Sequence, residues 1–329
     1  MNLTILPESR EMLDTAFGRA RKQAARLKSQ RNTIKDAKGK NIRRIEVASN
    51  YVTTRLGNAV EGFPSLREVN PFYLELIKAT VDVERVLKAL GHMSAERRII
   101  TKVKGNAIGR IKGLGKTESR KAAVIAKEFY GRLSGLVRKL DSSVKVYNQA
   151  AKKLKELPKI KFDVPTVIIA GFPNTGKSTI LGRLTKSRPK VASYPFTTQK
   201  LQIGYMKQGY GKIQLIDTPG LLDRPLGKRN KIERKAIAAL RHLAGLILFV
   251  VDPTAAGGFG LGEQKRLLEE VEKEFSGVKV LVVANKADAA SEKELGEVQK
   301  VFGNVLVDGN GTENGLGKEI SNNAKGKGV

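Results

Sequence analysis

The chain has 329 residues, a formal net charge of +29, two histidines and no cysteine. The lack of cysteine excludes disulfides and thiolate metal sites, and the isolated His92 and His242 form no pair of metal ligands. No apolar run approaches the ~20 residues that a membrane span needs, so we expect a cytoplasmic protein with no membrane partner. The length predicts two domains.

The basic excess is concentrated in the first half of the chain. Residues 1–163 carry 36 Lys and Arg against 16 Asp and Glu, a net charge of +20, whereas residues 164–329 carry +9. High solubility alone would explain a basic chain but not its uneven distribution. We therefore favour a nucleic acid as the partner of the first half.

The first half is predicted to be helical. Apolar and basic residues recur at helical spacing from Asp14 to Leu56, and a second helix with one apolar face is predicted between Pro71 and Gly91. One or two further helices are predicted over residues 118–157. This pattern indicates an all-α helical bundle over residues 1–158, followed by a short linker.

The stretch "GRIKGLGKTES" contains a GKT that resembles part of a phosphate loop. However, Gly109 stands one place too early for that motif, and no strand precedes it. We favour a corner between two helices over a basic hairpin that contacts a nucleic-acid backbone.

The second half changes to short apolar runs that alternate with helical segments. The runs "PTVIIAG", "KIQLID", "GLILFVVD" and "VKVLVVAN" each end in Gly, Asp or Asn. They predict an α/β domain over residues 164–320, with a mostly parallel sheet covered by helices on both faces. "QKLQIGYM" is predicted as an antiparallel edge strand, and residues 321–329 as a flexible tail. Ligands bind at the carboxyl ends of such strands, which directs attention to the residues that end the runs.

A phosphate loop follows the first of these strands. "GFPNTGKS" fits G-x-x-x-x-G-K-[ST] and stands between a predicted strand and a predicted helix, so an ordinary glycine turn is disfavoured. Lys177 is predicted to reach the β- and γ-phosphates, and the Ser178 hydroxyl to bind Mg²⁺. The residues predicted to hold the phosphates are Gly171, Pro173, Asn174, Thr175, Gly176, Lys177, Ser178 and Thr179.

The run "VVANKAD" predicts recognition of guanine. The Asp288 carboxylate can accept from both N1–H and the 2-amino group of guanine, whereas adenine offers neither donor. Lys286 is predicted to lie along the base, and Asn285 to tie this loop to the phosphate loop. In the last base-contacting loop, "DGNGTENGL", Gly309 and Asn310 replace the usual Ser-Ala. The predicted ligand is therefore GTP or GDP.

Two switch segments lie between these motifs. In "SYPFTTQK", Thr198 is predicted to bind Mg²⁺ through its hydroxyl and the γ-phosphate through its N–H, with Thr197 as the alternative. In "LIDTPGLLDRP", Asp217 is predicted to hold Mg²⁺ through water, and the Gly220 N–H to contact the γ-phosphate. Leu221 stands where the Ras-type template has a water-orienting Gln.

Together, the phosphate loop, "YPFTT", "DTPG" and "NKAD" resemble the Obg-related GTPases of translation and ribosome assembly. Residues 70–91, 217–245 and 258–264 are similar to the nucleolar GTP-binding protein family, in a short archaeal-type form. This resemblance implies a Ras-like P-loop GTPase domain preceded by a helical bundle that binds ribosomal RNA. It also implies slow GTP hydrolysis in assembly of the large ribosomal subunit, a pre-ribosomal particle as partner, and a ribosome-associated protein that is monomeric off the ribosome.

The resemblance also bears on Leu221, because Obg-type GTPases have a hydrophobic residue at this place. It implies that the missing catalytic element lies elsewhere. One option is Asn174 binding K⁺ near the β- and γ-phosphates; others are a group from the ribosome, or Arg224 or Arg229. The predicted catalytic residues are Lys177, Thr198, Gly220 and Asn174. Two alternatives stay open: an RNA-binding, GTP-bound scaffold with negligible hydrolysis, and a GTPase acting on tRNA or translating ribosomes.

Overall fold

A computed structural model describes residues 3–27, 33–115, 118–185, 189–193, 200–209, 211–225, 227, 229–308 and 313–324. The chain divides into two compact units. The first comprises Met1–Val69 and Val81–Lys155, and the second comprises Asn70–Thr80 and Glu156–Val329.

The first unit is helical, as predicted. In the central helix, Ile45, Val52, Leu56 and Ala59 are fully buried at helical spacing, which gives this helix a continuous apolar face. The helices of this unit are α1 (Ser9–Ala25), α2 (Thr33–Gly62), α4 (Val83–Lys112), α5 (Ser119–Arg138) and α6 (Asp141–Lys155), while α3 (Pro71–Thr80) belongs to the second unit. The central α2 packs against α1, α4 and α5, and α4 also packs against α6.

The single helix predicted between Pro71 and Gly91 is wrong in its bounds. The helix is interrupted between α3 and α4. There the Asp82 side chain accepts a hydrogen bond from the Arg85 N–H (3.1 Å) and caps the start of α4. Helix α4 continues through Gly91 to Lys112. Leu87, whose spacing places it on the predicted apolar face, is 46% exposed, so that part of the prediction is also wrong.

The GKT stretch joins two helices, as predicted. Helix α4 ends at Lys112, and α5 begins at Ser119. Residues 116 and 117 lie outside the described part of the chain.

Helix α3 packs within the second unit, although its sequence lies in the first half. It contacts α8 (Lys231–Arg241), and its side chains Phe72, Leu76 and Ile77 are fully buried. The Tyr73 hydroxyl donates to the Pro158 carbonyl (2.8 Å) and accepts from the Ile160 N–H (3.1 Å), which fixes the linker before the sheet. The division of the structure therefore differs from the predicted helical domain over residues 1–158 in this segment and at residues 156–158, which also fall in the second unit.

The second unit is built on a seven-stranded sheet with the order β2-β3-β4-β1-β5-β6-β7. Its strands are β1 (Thr166–Ala170), β2 (Lys190–Ser193), β3 (Lys200–Gln208), β4 (Gly211–Asp217), β5 (Leu246–Val251), β6 (Lys279–Ala284) and β7 (Val305–Val307). The five strands from β4 to β7 in this order run parallel, and β3 runs antiparallel to β4. The predicted α/β fold class is confirmed. The prediction of β3 as an edge strand is wrong, because β2 pairs along its outer side.

Helices complete this unit: α7 (Lys177–Thr185), α8, α9 (Leu261–Glu274), α10 (Glu292–Phe302) and α11 (Glu313–Asn323). Helix α11 extends into the predicted tail, because Leu316, Ile320 and Ala324 recur every four residues and are buried in the core with Ile180 of α7. The tail predicted from residue 321 thus starts too early. No helix in the described part of the chain is both long and apolar enough to cross a lipid bilayer.

Candidate nucleotide-binding site

The candidate site lies at the carboxyl edge of the sheet. Strand β1 ends at Ala170 and α7 begins at Lys177, so the predicted phosphate loop joins a central strand to a helix. Thr179 follows in the first turn of α7. Because β1, β4, β5 and β6 run parallel, the loops that leave them meet at this same edge.

The backbone of the phosphate loop requires its glycines. Gly171 has φ +133° and Gly176 has φ +91°, both outside the range that other residues adopt readily. A Cβ would overlap the Val250 carbonyl at Gly171 and the Asn285 amide at Gly176. Asn174 also has a positive φ of 63°. Residues with positive φ within one short loop allow its backbone N–H groups to point toward one side, which suits binding of an anion.

Lys177 is buried beside this cradle. It is 8% exposed, and its Nζ donates to the Phe172 carbonyl (2.6 Å). Burial lowers the pKa of Lys177, and the negative charges of Asp217 and Asp223 act in the opposite direction. An ammonium group that is largely removed from water favours an anionic ligand, and a nucleotide phosphate would supply that charge.

Ser178 and Asp217 form a pair of oxygen ligands at the ends of α7 and β4. The Ser178 hydroxyl donates to Asp217 Oδ2 (2.6 Å), while Asp217 Oδ1 is buried without a partner among the described residues. Burial raises the pKa of Asp217, against the hydrogen bond from Ser178 and the charge of Lys177. An orphaned carboxylate oxygen beside a hydroxyl fits Mg²⁺, which prefers oxygen ligands.

Among the described residues, no group of three or more His, Cys, Asp or Glu is placed to hold a metal ion. A Mg²⁺ at the Ser178–Asp217 pair would take its further oxygen ligands from phosphate, from water and from the predicted Thr198 hydroxyl, as is usual for this ion in nucleotide sites.

The turn after β4 is held by the side chains of Asp223 and Arg229. The Gly220 N–H donates to Asp223 Oδ2 (2.7 Å), and the buried Arg229 donates to the Gly220 and Arg224 carbonyls. Burial lowers the pKa of Arg229. Leu221 is fully buried, so its side chain belongs to the core rather than to a water-binding surface.

The guanine motif follows β6. The Asn285 side chain donates to the Thr175 carbonyl (2.8 Å), which joins this loop to the phosphate loop. Lys286 has φ +60°, and its Nζ donates to Asp252 Oδ2 (2.7 Å). Asp288 lies exposed two residues further along the same loop.

Sequence reasoning assigned no role to Asp252, which directly follows β5 and is 1% exposed. Its carboxylate accepts from Lys286 and from the N–H (3.1 Å) and hydroxyl (2.7 Å) of Thr254. Burial acts to raise the pKa of Asp252, but the hydrogen bonds from Lys286 and Thr254 hold it below its usual value. The signal was present in the sequence, because "FVVD" ends a buried run in Asp as "LID" does.

The loop after Asp252 packs along the phosphate loop. The Phe259 and Phe172 rings stack with centroids 4.1 Å apart, and a Cβ at Gly257 would lie 3.2 Å from the Pro173 carbonyl. The apolar contact and the missing side chain together bring this backbone close to the predicted phosphate site.

Several predicted site residues lie outside the described part of the chain. These are Thr198, its alternative Thr197, Gly309 and Asn310. Of the predicted base loop, residues 308–316, the structure describes Asp308 and residues 313–316, and the latter belong to α11 rather than to a loop. Asp308 follows β7. Its carboxylate pairs with Arg183 of α7, and its N–H donates to the Ala284 carbonyl (2.8 Å).

Two family models match the chain. The model described as the NOG1 N-terminal helical domain matches residues 1–161, and that of a 50S ribosome-binding GTPase matches residues 166–286.

Similar proteins span much of the chain. An uncharacterized protein of Methanocaldococcus jannaschii is 36% identical over 252 residues, which covers 77% of this chain and 70% of that protein. Nucleolar GTP-binding protein 1 of Drosophila melanogaster is 28% identical over 303 residues, which covers 91% of this chain but only 46% of the relative. The chain thus spans less than half the length of that relative. A solved Plasmodium falciparum structure with the same protein name is 29% identical, with a TM-score of 0.42, and covers 51% of this chain and 91% of that one.

Proposed function

The chain belongs to the nucleolar GTP-binding protein family, and from this premise we propose that it is a GTP-hydrolysing switch in assembly of the large ribosomal subunit. The observation that carries the proposal is the meeting of three motifs at one sheet edge. The Ser178–Asp217 pair lies beside the phosphate loop, and Asn285 bonds directly to Thr175 of that loop. This arrangement supports a nucleotide whose phosphates and base are held together.

We assign the roles of the site residues as follows. Lys177 and the N–H groups of the phosphate loop hold the β- and γ-phosphates, and the Gly220 N–H contacts the γ-phosphate. Ser178 would hold Mg²⁺ directly and Asp217 would hold it through water, and the ion would offset phosphate charge during hydrolysis. Asp288 reads guanine, and Lys286, fixed by Asp252, lies along the base. Thr198 and the base contacts of Gly309 and Asn310 stay predictions.

We propose that intrinsic hydrolysis is slow. The buried Leu221 offers no group that can orient water, so the missing element must come from elsewhere. A K⁺ held by Asn174, which is exposed and has φ +63°, would place positive charge near the β- and γ-phosphates. The other sources are a group supplied by the pre-ribosomal particle and the basic residues Arg224 and Arg229. Of these two, Arg229 is buried and bonded to the Gly220 carbonyl, whereas Arg224 pairs with Glu233.

The partner that we propose is large-subunit ribosomal RNA, bound through residues 1–158. The net charge of +20 on residues 1–163 supports this assignment, because neutralising phosphates is the main source of affinity for RNA. The ribosome-associated, cytoplasmic location and the monomeric state off the ribosome follow from the same proposal.

The decisive experiment measures GTP turnover by the full chain in K⁺ and in Na⁺, with and without large-subunit precursor particles. We expect slow turnover that rises with the particles, and Lys177→Ala should bind no nucleotide. Fast turnover in Na⁺ without any partner would refute the proposed trigger. Crosslinking the bound RNA in cells then separates a role in subunit assembly from one on tRNA or translating ribosomes.

The buried Leu221 also supports a second candidate function, a GTP-bound RNA scaffold that scarcely hydrolyses. Single-turnover kinetics with precursor particles separate it from the switch. A switch should show particle-stimulated cleavage, whereas a scaffold should keep its GTP intact.

A further inference from the structure

The Gly220 N–H, which the proposed function assigns to the γ-phosphate, is already engaged inside the protein. Gly220 has φ +74°, and its N–H donates to Asp223 Oδ2 at 2.7 Å. This is a charge-assisted hydrogen bond of the kind that a phosphate oxygen would form. One N–H has a single hydrogen to donate, so a carboxylate and a γ-phosphate compete for it.

A buried arginine holds this carboxylate in place. The Arg229 side chain has no exposed surface, donates to the Gly220 and Arg224 carbonyls, and brings Nη2 within 3.6 Å of Asp223 Oδ1. The guanidinium thus fixes both ends of the turn and neutralises the acid between them. The Asp223 side chain is 13% exposed, so little water screens this pair.

The charge of Asp223 reaches the same groups that would receive the phosphates. Burial lowers the pKa of Lys177, whereas the negative charges of Asp217 and Asp223 raise it. Burial is also the main cause that raises the pKa of Asp217, and the charge of Asp223 adds to that shift. A γ-phosphate arriving beside Lys177 and the Gly220 N–H would therefore be repelled by the like charge of Asp223, which Arg229 offsets only in part.

We propose that Asp223 is an internal stand-in for the γ-phosphate and sets the preference of the site for GDP over GTP. The inference rests on the proposed function, because it needs a guanine nucleotide in the phosphate loop. GDP leaves the Gly220–Asp223 bond intact. GTP must displace Asp223, which weakens GTP binding, and Asp223 returns to Gly220 when the phosphate leaves. The turn therefore has two arrangements, and the γ-phosphate selects between them.

The test compares the dissociation constants of GDP and of a β,γ-imido GTP analogue, with Mg²⁺, by calorimetry on the full chain. Asp223→Ala should tighten binding of the analogue by about tenfold, the typical effect of one charge-assisted hydrogen bond. Its affinity for GDP should change little. Asp223→Asn keeps the shape and one acceptor oxygen but loses the charge, so its effect should be smaller. If Asp223→Ala fails to fold, Asp223→Asn still tests the proposal, because it too should tighten binding of the analogue.

Glu233→Gln is the matched control. The Glu233 carboxylate pairs with Arg224 (2.9 Å) and accepts from the Asn230 N–H (3.2 Å), so it carries the same charge near the same turn without bonding to Gly220. Its ratio of analogue to GDP affinity should equal that of the unaltered chain.

Two failures are distinguishable. If the unaltered chain binds both nucleotides but Asp223→Ala and Asp223→Asn leave the ratio unchanged or weaken the analogue, the role of Asp223 is refuted and the proposed function stands. If the unaltered chain binds neither nucleotide, like Lys177→Ala, both ideas are refuted.

Discussion

Gly176 shows how one residue joins the phosphate and guanine ends of the candidate site. Its φ of +91° turns the loop, and its missing side chain lets the Asn285 amide pass close enough to donate to Thr175 at 2.8 Å. Gly176→Ala should therefore both strain the backbone and displace Asn285. We expect binding of GDP to weaken by about 100-fold or more, measured by calorimetry, since two loops lose their positions at once.

Gly182→Ala is the control for that change, because it makes the same substitution where the added methyl meets no neighbour: Gly182 lies in α7 and faces open space. The added methyl should stabilise the helix by up to about 1 kcal/mol and leave nucleotide affinity unchanged. Equal GDP affinity in the two variants would contradict the role given to Gly176.

Single residues of the phosphate and guanine motifs could be predicted from the sequence, because each motif is one short contiguous stretch with a fixed spacing. "GFPNTGKS" and "NKAD" are contiguous, and each follows an apolar strand. The pairs Gly220–Asp223 and Lys286–Asp252 were not predicted. The first depends on a positive φ in a turn, and the second on which strands become neighbours; neither property is visible in local spacing.

Helix α3 is the element whose position departs most from the order of the sequence. It lies between two helices of the first unit along the chain, yet it packs on α8, the helix that follows the Asp217–Arg229 segment. Phe72 is fully buried there, with its ring 5.2 Å from that of Tyr73 and 6.2 Å from that of Phe162. This cluster and the contacts with α8 make α3 part of the core of the second unit.

Phe72→Ala should therefore destabilise the unit that carries the nucleotide site. Emptying a fully buried phenylalanine site costs about 3–5 kcal/mol. In thermal unfolding, the transition that GDP shifts upward identifies this unit, because a ligand stabilises only the unit that binds it. We expect Phe72→Ala to lower that transition.

Leu87→Ala is the control in the neighbouring helix α4. Leu87 is 46% exposed, so its truncation should move neither transition appreciably. If Phe72→Ala lowered only the transition that does not respond to GDP, the packing of α3 within the second unit would be wrong.

The central strands were predicted at the scale of elements because a buried parallel strand is a continuous apolar run. β1, β5 and the second half of β4 are buried at every position. Strands β2 ("KVAS") and β7 ("VLV") are too short to show a period. The interruption between α3 and α4 could not be predicted, because Val81-Asp82 contains neither Gly nor Pro. The capping role of Asp82 depends on the local backbone conformation.

At the scale of the whole molecule, the basic charge and the nucleotide-binding motifs lie in different parts of the chain. Residues 1–163 hold most of the +29 charge, while the nucleotide motifs all lie after residue 170. A purely local motif search finds the second part and says nothing of the first. The proposed RNA contact is a collective property of many exposed cations, so it is best tested by removing several of them together.

Replacing Arg120, Lys127 and Arg132, all exposed on α5, by Gln should weaken binding to large-subunit ribosomal RNA. Each phosphate contact contributes about 0.7–0.9 to the slope of log affinity against log salt, so the slope should fall by about 2 if most of these cations bind phosphates. The matched variant replaces the exposed Lys273, Lys293 and Lys300 of α9 and α10, which removes the same charge from the second unit. Binding titrations from about 50 to 200 mM salt distinguish the two. Equal losses of slope would mean that RNA responds to total charge, and the assignment of RNA binding to residues 1–158 would fail.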